Sequence, residues 1–323
     1  MAEQYLLAHD VGTSATKTSI VRPDGRIEDS EATPHPTRYP QPGRAEQDAE
    51  DWWRGVCRNT RALSERQPHL GKRVAAVGVS GHMLGCLALG EDGRPLRPAM
   101  MHSDIRAGEQ CARVERAVGA EKLYQTTGNI LDARSPLCKI LWLKDNEPSV
   151  YANAARFLQS KDYVVGCMVG SFDSTDYSDA AHAQWMDIRR QVYAEEVLRT
   201  LGLDTGKLPA LHAATDVVGR LTDSAAEELG LRAGIPVVAG GGDGSCATVG
   251  AGAVHAGDAY CCIGTTAWIA STVAEPFIDP ERRIFNLPSL DGESCGVFGT
   301  VQAAGRSVDW AMELLGEEDF GRF

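Results

Sequence analysis

The sequence has no excess of positive charge and no long apolar run. Its 32 lysine and arginine residues face 44 aspartate and glutamate residues, which gives a formal net charge of −12 at pH 7. Such a balance does not provide the basic surface that binds nucleic acids or anionic membranes by releasing counterions, so neither is expected as a partner. No stretch approaches the roughly 18 apolar residues of a membrane span, and the amino terminus lacks the segments of a secretion signal. We therefore expect a cytoplasmic protein.

Common phosphate-binding and metal-binding motifs are also missing. Neither the P-loop pattern nor the G-x-G-x-x-G pattern occurs, so any phosphate chemistry must rest on another architecture. The nine cysteines form no Cys-x-x-Cys pair and no zinc-like spacing with histidine. We interpret them as buried thiols in a reducing compartment. Cys246 and Cys262 lie close to glycine-rich turns, but without a nearby base a packing role is favoured over a catalytic one.

The most informative feature that is present is a short internal repeat. Residues Asp10–Val21 align with Cys262–Val273 at five identical positions, and both copies contain Gly-Thr followed by a hydroxyl residue. Each copy follows an apolar run typical of a buried strand. Glycine lets the backbone approach a ligand, and the neighbouring N–H and hydroxyl donors suit phosphate oxygens. The repeat predicts two related strand–turn–strand loops around a nucleotide, the alternative being two ordinary hairpin turns.

The rest of the chain alternates strands and helices, which is typical of an α/β fold. A length of 323 residues favours two domains. Asp48 stands where a helix N-cap is expected, and the tryptophan pair that follows it falls at apolar-periodic positions and is predicted to pack. The other predicted elements are hairpin strands at 5–9 and 16–21, a third strand near Ile27, a buried strand at 74–80, and helices at 107–118 and 137–145.

Two aspartates stand beside glycine-rich turns. Asp243 lies within Gly240–Gly244 after a predicted strand, where an exposed carboxylate on a rigid support suits a base that takes a proton from a hydroxyl; capping the next helix is the alternative. Asp10 enters the first Gly-Thr loop from a buried strand and could hold magnesium or make local turn hydrogen bonds. His82 follows the strand at 74–80, and α/β proteins bind ligands at such strand ends.

Taken together, these segments resemble the FGGY family of carbohydrate kinases, and most closely its xylulokinase-like members. The resemblance implies the actin/hexokinase-type (ribonuclease H-like) α/β fold of that family. Eight segments occur in the family's order and cover nearly the whole chain, which is more specific than any single match. These segments are Asp10–Ser14, Ser80–Met83, Asp104–Arg106, Thr127–Asn129, Lys161–Tyr163, Asp176–Asp179, Gly241–Gly244 and Gly264–Thr266.

The resemblance also implies a function. It implies an enzyme that transfers a phosphoryl group from ATP to a sugar hydroxyl, with D-xylulose as the favoured acceptor and with ATP and Mg²⁺ as cofactors between two domains. Asp243 would be the general base, and Asp10 would hold the metal and orient the phosphates. The other implied residues are Gly12, Thr13, Ser14, Lys17, Gly264 and Thr265 for the phosphates, and His82, Met83, Leu84 and Asp104 for the sugar.

The sequence departs from the xylulokinase pattern at the expected sugar site. His82 and Leu84 stand where Gln and His are expected, Gly244 replaces the Asn after the catalytic aspartate, and His102 replaces a Trp two residues before Asp104. A site built around substrate hydroxyls discriminates sharply between acceptors. Another pentulose or a polyol is therefore an alternative acceptor.

The length of the chain sets the expected domains. Family members continue beyond its last residue, so residues 1–252 are expected to form a complete N-terminal domain and residues 253–323 the start of an incomplete C-terminal domain. Such a division would expose apolar surface and weaken adenine binding. The alternative function is therefore an inactive or split-enzyme sugar-binding fragment. A homodimer or a complementing carboxyl-terminal segment would then be the expected partner.

Overall fold

The computed structural model describes residues 4–264, 267–301, 303–317 and 319. The strands are β1 Tyr5–Val11, β2 Ala15–Val21, β3 Ile27–Pro34, β4 Glu46–Gln47, β5 Val74–Gly81, β6 Leu87–Leu89, β7 Ala99–Met100, β8 Arg156–Leu158, β9 Ser174–Asp176, β10 Met186–Asp187, β11 Val192–Tyr193, β12 Ala210–His212, β13 Val217–Arg220, β14 Pro236–Val238, β15 Gly241–Gly242, β16 Ala259–Ile263, β17 Ala267–Val273, β18 Phe285–Pro288 and β19 Cys295–Val301. The helices are α1 Ala49–Arg66, α2 Leu70–Arg73, α3 Gly108–Val118, α4 Ala120–Thr127, α5 Pro136–Asn146, α6 Pro148–Asn153, α7 Ser160–Val169, α8 Tyr177–His182, α9 Glu195–Thr200, α10 Asp223–Leu229, α11 Asp243–Gly250 and α12 Gly305–Leu315, with a 3-10 turn at Thr205–Lys207.

The larger sheet brings several strand ends to one edge. Its order is β13-β14-β5-β1-β2-β3, and β15 also pairs with β5. Strands β1 and β5 are parallel, with Asp10 opposite Ser80, and β15 is parallel to β5, with Gly241 opposite Ser80 and Gly242 opposite Gly81. Because the carboxyl ends of parallel strands meet at one edge, this pairing places Asp10 near the start of α11. The predicted hairpin of β1 and β2 and the strand near Ile27 are confirmed.

Helix α1 covers one face of the larger sheet, as its apolar spacing predicts. Asp48 caps the helix, because its carboxylate accepts a hydrogen bond from the Glu50 amide at 3.0 Å. The side chains of Trp52, Val56 and Leu63 are buried in the core beneath it. The Trp52 prediction is therefore confirmed, since its indole packs inside the protein.

Helices α3 and α5 belong to a second core. They match the helices predicted at 107–118 and 137–145, and α5 begins with Pro136, which suits the first helical turn. Its side chains are buried almost throughout, including the cationic Lys139, which is inaccessible to solvent.

Residues 259–301 form a separate antiparallel sheet in the order β16-β17-β19-β18. We call residues 4–250 the first lobe and residues 259–317 the second lobe. Strand β16 pairs with β17 as β1 pairs with β2, so the flanking strands predicted for both copies of the repeat are confirmed, whereas Thr265 and Thr266 of the second turn lie outside the described residues. Met83 of the first lobe packs against Leu287 and Phe298 of the second. The domain boundary at residue 252 stays a prediction.

The cysteines do not crosslink the chain. All nine are free thiols, as predicted. Burial raises the pKa of the Cys246 thiol to about 12, which agrees with a packing role. The prediction that all nine are buried holds only for Cys86, Cys138 and Cys295, since five others are half-buried. Cys261 is exposed on strand β16, where successive side chains alternate between the two faces of the sheet. Within the residues that the structure describes, no helix has the length and apolar character to cross a membrane.

Candidate active site

A cavity of about 590 Å³ lies between the edge of the larger sheet and the smaller sheet. Its first-lobe wall is polar and contains both aspartates singled out from the sequence. Its second-lobe wall is mainly aromatic and aliphatic. The lining residues are Asp10, Thr13, Ser80, His82, Met83, His102, His182, Asp243, Gly244, Ala247, Trp268, Phe285, Leu287, Phe298 and Thr300.

The glycine turn before Asp243 is required by close backbone packing. Gly240 has a φ of +73°, and a Cβ there would lie 2.0 Å from the carbonyl oxygen of Val79. A Cβ on Gly242 would lie 2.5 Å from the terminal methyl carbon of Met83. A larger residue at Gly240 would therefore clash with the backbone of β5, and one at Gly242 would force the Met83 side chain to move. The turn delivers Asp243 to the first position of α11, at the positive end of the helix.

The pKa values of both aspartates in the cavity are raised. Asp243 stays open to the cavity, but protein surrounds it closely enough that loss of water raises its pKa to about 6, and the negative charge of Asp10 adds to this shift. Desolvation also raises the pKa of Asp10, while a hydrogen bond from Ser80 at 3.3 Å and the charge of Lys17 oppose that shift. A carboxyl with a pKa near 6 is ionised at neutral pH and still basic enough to accept a proton.

The first Gly-Thr loop presents donors at the same edge. Thr13 and Ser14 are exposed between β1 and β2, and Thr13 lines the cavity. Gln47 holds the loop from behind by donating to the Thr13 carbonyl at 2.7 Å, and Trp52 donates to Gln47 at 2.7 Å. The Gly12 amide donates to the Ala15 carbonyl at 3.1 Å and closes the turn.

Lys17 and the second loop lie beside this edge. Lys17 pairs with Asp10 in the β1–β2 register and lines a neighbouring cavity of about 480 Å³ that also contains Asp10 and Ser80. Gly264 follows β16, and its carbonyl accepts from the Gly305 amide at 2.8 Å, at the start of α12. Thr265 lies outside the described residues.

His82 and Met83 line the cavity and Leu84 does not, while the sugar contacts predicted for all three stay predictions. The His82 ring is almost inaccessible, lies edge-on to Trp52 at 5.4 Å between ring centroids, and has no hydrogen-bond partner at either nitrogen. Leu84 has a φ of +61° and belongs to the apolar cluster beneath Met83 rather than to the cavity wall.

Asp104 lies outside the cavity wall and is occupied by structural contacts. It is fully buried and accepts hydrogen bonds from the Ala45 amide at 2.8 Å and from the Arg106 guanidinium at 2.6 Å. Burial opposes its ionisation, but the hydrogen bonds outweigh burial and hold its pKa below the usual value. Asp104 therefore anchors the segment that carries His102, and its predicted contact with the sugar stays a prediction.

Sequence reasoning missed His182 and Lys139. His182 ends α8, lines the cavity and stacks on Phe285 at 5.3 Å between ring centroids. Lys139 donates to the carbonyls of Leu84 at 2.7 Å and Met101 at 2.6 Å, and burial lowers its pKa to about 8. It thereby connects the two segments that carry His82 and His102. Neither residue had a local signal, because each acts through contacts distant in sequence.

A buried charge cluster supports the turn before Asp243. Lys161 is inaccessible to solvent, and its ammonium lies 2.9 Å from Asp176 and 3.1 Å from Asp179. Asp176 accepts a hydrogen bond from the Ser178 hydroxyl at 2.5 Å, and the same hydroxyl accepts from the Gly242 amide at 3.0 Å. The Lys161 cluster therefore fixes the residue directly before the candidate base.

The carboxylates of the cavity suit a metal ion that substrate phosphates and water would also coordinate. No group of three or more His, Cys, Asp or Glu suited to a metal occurs among the described residues. Asp10 and Asp243 line the same cavity, however, and the negative charge of Asp10 contributes to the raised pKa of Asp243, so a cation between them would reduce this repulsion. Magnesium is commonly bound by one or two carboxylates, substrate phosphates and water, so this donor set fits it.

Three similarities to known proteins agree with this arrangement. The xylulose kinase of Escherichia coli strain K12 is 31% identical over 308 residues, which cover 95% of this chain and 62% of that protein. The structure of a xylulose kinase from Rhodospirillum rubrum matches with a TM-score of 0.92 at 25% identity, over 98% of this chain and 64% of that one. A gluconate kinase from Lactobacillus acidophilus matches with a TM-score of 0.91 at 25% identity and the same coverage.

The chain is an α/β protein of the actin/hexokinase-type fold, as predicted. Its two lobes, the edge where parallel strands end and the structural matches all agree with this fold. The family model for the N-terminal domain of the FGGY family of carbohydrate kinases matches residues 5–250. The chain belongs to this family, and the predicted resemblance is confirmed. It spans about 62% of the length of the E. coli relative.

Proposed function

We propose that the chain contributes the acceptor site and the general base of a kinase that transfers a phosphoryl group from ATP to a sugar hydroxyl. The observation that carries the proposal is the pairing of Asp10 and Asp243 in one cavity, with Asp243 at a helix start and its pKa raised to about 6. The relatives named xylulose kinase support D-xylulose as the acceptor and D-xylulose 5-phosphate as the product. A cytoplasmic location and the partner segments stay predictions.

Asp243 would accept the proton of the acceptor hydroxyl as the hydroxyl oxygen attacks the γ-phosphorus, and the bond from that phosphorus to the bridging oxygen would break to release ADP. A base of this strength is ionised at pH 7, and its protonated form can release the proton after transfer. The glycine turn and the contacts of Ser178 would hold the carboxylate in one place, which reduces the entropy lost on reaching the reactive geometry.

The phosphates would lie against the first Gly-Thr loop. Thr13 and Ser14 would donate hydroxyl or amide hydrogen bonds, and Lys17 would offset negative charge beside Asp10. Asp10 would hold magnesium together with phosphate oxygens, and the bound ion would neutralise charge on the transferring group. Gly264 and Thr265 would complete the phosphate site from the second lobe.

A second acceptor class is favoured by the composition of the cavity. Of the four positions where the sequence departs from the xylulokinase pattern, His82, His102 and Gly244 line the cavity, and Leu84 does not. Another pentulose or a polyol is therefore the second candidate. Sugar binding without phosphoryl transfer is the remaining alternative.

The proposal is tested by ADP release from this chain with Mg-ATP and a panel of ketoses and polyols that includes D-xylulose. We expect one acceptor to stimulate ADP release and Asp243→Ala to reduce that stimulation at least a hundredfold, in the range lost with a general base. Asp24→Ala, at an exposed turn, is the matched control and should leave it unchanged. A folded chain that binds a sugar without any stimulated ADP release would favour the binding-only alternative.

A further inference from the structure

The charge on the cavity wall is of one sign. Among the described residues that line it, the charged side chains are Asp10 and Asp243, and none is Lys or Arg. Burial is the main cause of the raised pKa of Asp243, and repulsion from the negative charge of Asp10 adds to it. A ligand that brings a third negative charge into this volume would meet the same repulsion.

Three histidines line the same cavity, and they do not supply positive charge at neutral pH. Burial lowers the pKa of His82 to about 3 and that of His182 to about 4. Burial also lowers the pKa of His102, to which the nearby charges of Lys139 and Arg134 contribute. Each neutral imidazole offers one donor and one acceptor.

Some of these ring nitrogens have no protein partner. Both nitrogens of His82 and Nδ1 of His182 are buried without a hydrogen bond in the structure. The rings of His82 and His102 lie 6.4 Å apart, and Trp52 and Phe285 hold His82 and His182 in place by ring contacts. An unpaired buried nitrogen is costly, so a ligand hydroxyl that both donates and accepts would relieve that cost.

We propose that His82, His102 and His182 form an acceptor subsite, here the histidine cage, that selects uncharged polyhydroxy compounds and rejects aldonates such as gluconate. The inference rests on the proposed function in placing the acceptor in this cavity. The inference distinguishes two classes of acceptor, uncharged polyhydroxy compounds and aldonates. Structural similarity does not distinguish them, because a xylulose kinase and a gluconate kinase match the chain with TM-scores of 0.92 and 0.91.

The test is isothermal titration calorimetry of the whole chain at pH 7.5, without ATP or magnesium, with D-xylulose, xylitol and D-gluconate. We expect a neutral compound to bind and gluconate to bind at least tenfold more weakly. If the dissociation constant of gluconate lies within threefold of that of the better neutral compound, the inference is wrong, but the cavity still binds carbohydrates. A folded chain that binds none of the three would overturn both the inference and the acceptor part of the proposed function.

A variant that adds a positive charge to the histidine cage tests whether the cage selects ligands by their charge or only by their shape. His102→Arg places a permanent cation on the partly exposed member of the cage and should reduce the preference for the neutral compound at least threefold, while His102→Gln should preserve it. His69→Arg makes the same change at an exposed residue outside the cavity wall and should leave the preference unaltered. Circular dichroism checks that His102→Arg is folded. If the folded variant has the same preference for the neutral compound as His69→Arg, the charge argument is wrong.

Discussion

The two lobes differ in how completely they cover their apolar side chains. In the first lobe, α1 buries Trp52 to 1% exposure against the larger sheet. In the second lobe, α12 leaves Trp310 at 63% and Leu315 at 72% exposure, and Ile269 on β17 is 64% exposed. The larger sheet thus has a packed core beneath it, whereas the smaller sheet and α12 present apolar side chains to solvent.

The two lobes contribute chemically different groups to the cavity. The packed lobe carries the two carboxylates, the three histidines and the Gly-Thr loop. Gln47 holds the loop through the Thr13 carbonyl, and Ser178 holds the Gly242 amide directly before Asp243. The second lobe contributes an apolar wall in which Phe285 and Phe298 stack at 5.5 Å. We therefore expect first-lobe changes to alter folding and chemistry together, and second-lobe changes to alter mainly the surface.

The largest expected difference between the lobes is in stability. Trp52→Ala should lower the free energy of unfolding by about 3–5 kcal/mol, because it empties a large core site and removes the donor to Gln47. Trp310→Ala should change it by about 0.5 kcal/mol or less, since that indole is mostly in solvent. Urea unfolding followed by circular dichroism measures both. Equal losses in the two variants would show that the second lobe is packed as firmly as the first.

Most of the supporting framework was predictable from sequence, whereas several contacts in the cavity were not. The β1–β2 hairpin and α1 follow from local periodicity and capping, and Asp243 follows from its glycine turn. His182 and Lys139 reach their places only through tertiary packing, which leaves no short-range pattern. Asp104 had a matching motif, but its hydrogen bonds with Arg106 make it a buried anchor outside the cavity wall.

An intermediate effect concerns the cost of keeping Asp243 ionised in the packed lobe. Its pKa is about 6 in the folded protein against an ordinary 3.8, so the folded state holds that proton more tightly and loses stability as pH rises between these values. Asp243→Asn removes this cost and should raise the free energy of unfolding at pH 8 by about 1 kcal/mol, a value reduced for solvent screening at an open site.

The gain from Asp243→Asn should shrink as the pH falls from 6 to below 3.8, because the carboxyl is then protonated in both the folded and the unfolded state. Urea unfolding at a series of pH values measures it, with Asp24→Asn as the exposed control. A gain that is independent of pH would contradict an electrostatic origin.

The smallest expected effect is on the exposed apolar surface itself. Leu315→Lys and Ile269→Lys should lower the fluorescence of a bound apolar dye such as anilinonaphthalene sulfonate, because they interrupt the second-lobe apolar surface with charge. Ile27→Lys, at 60% exposure on β3, matches Ile269 in chemistry and exposure but lies on the first lobe, so it should leave dye fluorescence nearly unchanged. The folded fraction is checked by circular dichroism, since unfolding would raise dye binding. If Ile27→Lys lowers dye fluorescence as much as Ile269→Lys does, the dye binds single exposed apolar side chains on either lobe. The two lobes would then not differ in the apolar character of their surfaces.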